Sequence, residues 1–165
     1  MNNQLTWDDN CNNLIRKVNS RMQLIRGIQS FGATQEELVH LWKFFCRSVL
    51  EQSCIVWGPS LTQENSNNLE RTQKTFAKLI LKEKFKSYEQ ALMILDLDTL
   101  EKRRLELCLR FARNDIKTNK LNDLFPTNYK EHNMKTRIVK KYKVDFANTE
   151  RYKKSSIVAN ILNQE

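Results

Sequence analysis

"SVLEQSCIVWGPSLTQENSNNLERTQKTFAKLIL", residues 48–81, decides how the chain is read. A long apolar segment runs into Trp57-Gly58-Pro59, and a fresh helix follows. Gly58 can take the left-handed conformation that ends a helix, and Pro59 cannot continue one. Leu61-Thr62 then opens the next helix. Its apolar side is Leu69, Phe76 and Ile80, with Gln73 between, and its basic side is Arg71, Lys74, Lys78 and Lys82. At 100° per residue the four basic residues fall within about 80° of one another, nearly opposite the apolar group. They span roughly 16 Å of axis, a ridge able to follow several phosphates of one strand. Acidic residues are sparse along it, so few i,i+4 partners neutralise it. The plainer reading is an ordinary solvated face.

Charge placement bears on the choice. The formal net charge is +9, yet residues 1–69 hold six Lys/Arg against six Asp/Glu. The whole excess lies in residues 70–165. A one-sided basic balance favours a polyanionic partner, nucleic acid ahead of an anionic membrane surface.

Upstream, Thr6-Trp7-Asp8-Asp9 has the form of a capping box. Trp7, Cys11, Leu14, Ile15, Val18, Met22 and Ile25 keep one apolar stripe of roughly 100°, and this helix should stop near Gly27. Phe31-Gly32-Ala33 reads as a turn, and Thr34-Gln35-Glu36-Glu37 repeats the capping signal. From Leu38 to Val56 apolar residues surround most of the axis, which predicts one long central helix with Trp42 and Phe45 buried in it. His40 in that helix reads as a packed or edge histidine, not a catalytic one.

Downstream, Ser87-Tyr88-Glu89-Gln90 caps a short helix through Leu95. Asp98 or Thr99 starts another that should run to about Lys117. Its apolar arc holds Leu100, Leu105, Leu107, Cys108, Phe111, Ala112 and Ile116. Arg103, Arg110, Arg113 and Lys117 line the other side as a second basic stripe, interrupted by Glu106. Arg104 falls inside the apolar arc and should need Glu101 or Glu70 as a partner. Beyond Pro126 the periodicity weakens, and "KKSSIVANILNQE" offers one short closing helix. The predicted fold is therefore all-α, a bundle of about four to five helices over residues 1–125. An irregular basic tail occupies residues 126–165.

Cys11, Cys46, Cys54 and Cys108 include no C-x-x-C pair, and with His40 and His132 they make no zinc pattern. Reduced thiols inside a cell, in nucleus or cytoplasm, are the expectation, with no signal peptide, membrane span, metal or cofactor. Asp96-Leu97-Asp98 would suit two-metal chemistry on a strand, but it lies between helices, where Asp98 serves as an N-cap. No nucleophile–base set or phosphate loop stands out, so no catalytic residue is predicted.

"LTWDDNCNNLIRKVNSRMQLIRGIQSFG" followed by "FFCRSVLEQSCIVWGPSLTQENSNNLERTQKTFAKLI" resembles the segment downstream of the reverse transcriptase core in non-LTR, LINE- or jockey-like retrotransposons. The resemblance rests on Leu5-Thr6-Trp7, on Trp57-Gly58-Pro59, on Leu69-Glu70-Arg71-Thr72-Gln73-Lys74 and on the ending "RYKKSSIVANILNQE". Each motif is loose; their order and spacing together carry the likeness, which covers nearly the whole chain. The chain departs from the family at its start. The Tyr/Phe-x-Asp-Asp catalytic turn lies upstream of the Trp-containing opening and is missing here, and Asn10 stands where relatives often carry histidine. The resemblance implies a non-catalytic, thumb-like fragment of an RNA-directed DNA polymerase. Such a module would pack on a palm domain and grip an RNA or DNA template–primer duplex by its phosphates. The competing readings are a helical protein-interaction domain with a basic docking face, and an inactive retroelement remnant.

Overall fold

The computed structural model describes residues 7–118 and the single position Asn148; the side chains of residues 115–118 lie outside the description. The tail and closing helix expected over residues 126–165 fall outside these residues, as does Thr6. The fold is all-α, and among the described residues there is no strand.

Helix α1 (Asp8–Ser30) buries Cys11, Leu14, Val18, Met22 and Ile25, the stripe that the spacing selects. It does not stop at Gly27 but runs one turn further, and the chain reverses at Gly32, whose φ is +91°. Gly27 lies in open space within the helix, so nothing there compels a break. Trp7 occupies the N-cap position without a side-chain cap, its indole N–H donating instead to Ser60 Oγ at 2.8 Å.

Helix α2 (Gln35–Leu41) starts with the full capping box: Thr34 accepts from the Glu37 N–H, and the Glu37 carboxylate accepts from the Thr34 N–H. The single long helix predicted beyond it does not form. The chain passes into a π-helical segment, Trp42–Arg47, and a short α3 (Ser48–Leu50). It then unwinds through Glu51–Ser53 before α4 (Cys54–Trp57). Ser53, at φ 52°, takes the left-handed turn that the sequence assigns to Gly58. Gly58 itself is right-handed, at φ −56°, and opens a 3-10 turn, Gly58–Ser60. The indole N–H of Trp57 donates to the Gln52 carbonyl at 2.8 Å, satisfying a backbone acceptor freed by the unwinding. Nor is this segment buried all round. Trp42, Cys46, Val49, Leu50, Cys54 and Trp57 face the core, whereas Phe44 is 78% and Val56 68% exposed. Phe45 is also exposed, under the Arg21 guanidinium 4.4 Å from its ring centre.

Helix α5 (Gln63–Leu81) is capped by the Thr62 hydroxyl, which accepts from the Asn65 N–H. It lies beside α1 and points the same way. Asn65 bonds Asp8 at the start of both helices, and Gln29 bonds the Leu79 carbonyl near their ends. Its inward side buries Leu69, Thr72, Gln73, Phe76, Ala77, Ile80 and Leu81. Phe76 stacks on Trp42 with ring centres 4.4 Å apart. Gln73, fully buried, accepts from the Trp42 indole at 3.4 Å and donates to Tyr88 Oη and to the Asp98 carbonyl. One amide thus joins the π-helical segment, α5, helix α6 (Tyr88–Leu95) and the start of helix α7 (Leu100–Thr118).

Ser87 caps α6 as its sequence predicts, and Asp96, at φ 49°, ends it. Thr99, not Asp98, caps α7 by accepting from the Lys102 N–H. Glu70 on α5 adds a second cap across space: its carboxylate accepts from the Leu100 N–H at 3.0 and 3.3 Å and from the Tyr88 hydroxyl.

Candidate nucleic-acid interface

The inward side of α5 fixes its outward one. With Leu69, Gln73, Phe76 and Ile80 packed, Arg71, Lys74 and Lys78 are left in solvent in a row. Among the described residues none of the three forms an ion pair; Arg71 reaches only Asn68 Oδ1, at 3.1 Å. The Lys78 ammonium lies 5.5 Å from the centre of the Phe85 ring. Lys82 is exposed as well, but its φ of 46° takes it out of the helix and into the 3-10 turn Lys82–Lys84. The helical ridge is therefore three residues long, and the fourth charge leaves along the next turn. Exposed Lys84 and Lys86 continue it, with exposed Glu83 among them. Neither lysine was among the predicted site residues, although "KEKFK" carried the signal.

The α7 stripe is of another kind. Arg103 is half-buried and donates to both oxygens of Glu51, Nε at 3.0 Å and Nη2 at 3.2 Å, with Glu106 3.9 Å from Nη1. The hydrogen bonds to Glu51 raise its pKa further. Arg47 lies 3.5 Å from the same Glu51 oxygen, but its Nε hydrogen finds no acceptor. Arg103 therefore clamps α7 to the unwound corner at Glu51. Arg110 and Arg113 are exposed, and the Lys117 side chain is outside the described residues.

Arg104 does enter the packed side of α7, as its position predicts, at 5% exposure. Neither expected carboxylate pairs with it. Glu70 is occupied at Tyr88 and Leu100, and the guanidinium instead donates from Nη2 to Ser66 Oγ at 2.9 Å. Burial lowers its pKa, opposed by the fields of Glu70 and Glu101.

Among the described residues no group of three or more His, Cys, Asp or Glu side chains could hold a metal ion. Asp96 faces solvent, and Asp98 pairs with Lys102 at 2.7 Å. The four cysteines are free and buried. Burial pushes the Cys11, Cys46 and Cys108 thiols up to about 11, which makes them poor nucleophiles at neutral pH. His40 is exposed and stacked on Phe44 at 6.4 Å. No described helix is long and apolar enough to cross a membrane. Along α1, Leu14 and Met22 are buried and Trp7 is partly so, so these residues offer no open apolar surface. Apolar exposure falls instead on Phe31, Phe44, Val56 and Met93.

Neither models of known protein families, nor curated proteins, nor solved structures returned a match to this chain.

Proposed function

We propose that the chain is a non-catalytic nucleic-acid-gripping module, thumb-like in the sense of the retrotransposon polymerases that its sequence resembles. The observation that supports this is the α5 row. Arg71, Lys74 and Lys78 stand exposed without ion pairs among the described residues, on a helix whose other side is locked into the core. Cations on a rigid rod present a fixed spacing to a phosphate backbone, and such contacts position nucleic acid without reading its bases. The Lys82–Lys86 run would carry the same backbone past the end of the helix.

The test is duplex and RNA–DNA hybrid binding by fluorescence anisotropy over a range of salt. Sequence-independent binding should weaken linearly on log–log axes, with a slope of roughly 0.9 per phosphate contact on B-DNA. A second reading, a protein-docking domain, is favoured by exposed Phe31, Phe44, Val56 and Met93, since surface aromatics concentrate at protein interfaces. It predicts feeble nucleic-acid binding at physiological salt and no loss when the α5 row is neutralised.

A further inference from the structure

A cavity of about 270 Å³ lies where the Gly58–Ser60 corner, the first turn of α5 and the middle of α7 meet. Pro59, Leu61, Leu105 and Cys108 give it an apolar side. Ser66, Glu101 and Arg104 supply its polar side chains, and Thr62 and Gln63 bring the N-terminal end of α5 to it.

Arg104 is the anomaly. It is a guanidinium 95% removed from solvent, with no carboxylate within ion-pair distance among the described residues. Its Nη2 donates to Ser66 Oγ on the cavity wall, while Nη1 is buried with no acceptor at all. A buried charge lacking a counter-ion is strongly destabilising, because desolvation is not repaid by any paired charge. Both structural candidates for that counter-ion are accounted for. Glu70 is held by Leu100 and Tyr88, and Glu101, though it lines the cavity, is exposed and does not pair with Arg104. The positive end of a 19-residue helix adds to the same field.

We propose that this cavity binds a small monocarboxylate, whose carboxylate pairs with the Arg104 guanidinium and whose short apolar tail lies against Pro59, Leu61 and Leu105. The planar fork of a guanidinium matches a carboxylate better than it matches a point anion. Apolar side chains share the lining with the charge, which suits a compact hydrocarbon tail and not a fully hydrated phosphate. Leu105, 40% exposed, lines the same cavity.

Butyrate is the probe, with butyramide as its neutral counterpart and inorganic phosphate as a second anion, all at matched ionic strength against the full chain. Calorimetry and thermal unfolding read the outcome. Saturable butyrate binding with a raised Tm is expected, with no response to butyramide. Arg104→Met keeps the volume and removes the charge, and should weaken butyrate at least about tenfold. Glu101→Gln changes an exposed residue and removes the one carboxylate lining the cavity, so it should tighten butyrate several-fold even if Arg104→Met fails to fold. Absence of saturable butyrate binding by the wild-type chain overturns the proposal. So does equal binding of butyramide, preference for phosphate, or an unchanged affinity in Glu101→Gln.

Discussion

The α5 row and the α7 stripe look alike as sequence and differ as structure. Both are basic residues at helical spacing opposite an apolar arc. On α5 the cations stand clear of carboxylates, because the inward side of the helix is held by apolar packing and by the Gln73 amide. On α7 the leading arginine is half-buried and clamped on Glu51 from the unwound corner. Periodicity states which way a charge points. Whether that charge is available to a partner depends on what other elements bring to it, and Glu51 lies 52 residues from Arg103.

The sharpest way to break the contrast is to neutralise one row at a time. Arg71, Lys74, Lys78 and Lys82 changed together to Gln should lower the log–log salt slope by up to about 3–4 and weaken all sequences alike. Stability should stay within about 0.5 kcal/mol, since these are surface sites. Arg110→Gln with Arg113→Gln should give a visibly smaller slope change, and Glu36→Gln with Glu64→Gln no weakening. A four-site variant with wild-type affinity and slope would end the phosphate-gripping reading.

The inward side of α5 supplies the next largest effect, on stability alone. Trp42→Ala removes the ring stacked on Phe76 and should cost about 3–5 kcal/mol in denaturant unfolding. Phe45→Ala, at an exposed site, should cost only about 1 kcal/mol. Equal losses would mean that Phe45 packs as tightly as Trp42.

Arg103→Gln then inverts the α5 result. It should leave the salt slope nearly unchanged and cost about 1–3 kcal/mol, because partly buried Glu51 loses a charge-assisted pair of hydrogen bonds. A slope change as large as that of any single α5 site would place Arg103 on the binding surface.

The smallest effect concerns pH. The inward side of α7 carries Cys108, whereas that of α5 carries no thiol. A thiol whose ordinary pKa is 9.0 and whose folded value is about 11 costs nothing below pH 9. As pH rises from 9 towards 11 the unfolded chain loses the proton first, so stability falls. Cys108→Ala should flatten part of that alkaline limb in urea titrations; an identical limb would show that this thiol does not contribute.

Local signals were legible and distant ones were not. Thr34, Thr62 and Ser87 cap the helices that their positions predict, because a cap is written within four residues. The α1 stripe, the apolar side of α5 and its Arg71, Lys74 and Lys78 row follow from spacing in the same way, whereas Lys82 leaves the helix. The break at Glu51–Ser53 was not legible. Counting Phe44, Ile55 and Val56 as core made residues 38–56 look apolar all round, when only one side packs. The left-handed residue at the corner is Ser53 and not the glycine five positions on, since the Trp57 indole stabilises the unwound carbonyl there. Of the candidate site, the α5 row could be read because it depends on one helix. The fate of Arg103 and Arg104 depended on Glu51 and Ser66, residues that no spacing rule connects to them.

Glu70 shows how far such dependence reaches. The residue that receives the first free N–H of α7 sits 30 positions upstream, on another helix. The start of α7 thus takes one of its two caps from another helix, beside the local one from Thr99. A peptide covering residues 85–118 holds every side chain of α6 and α7 and lacks that acceptor. Its circular dichroism should show little helix, and appending the α5 sequence through a linker should restore it. Any rearrangement, natural or engineered, that separates residue 70 from residue 100 takes a cap from a helix whose own sequence it leaves untouched.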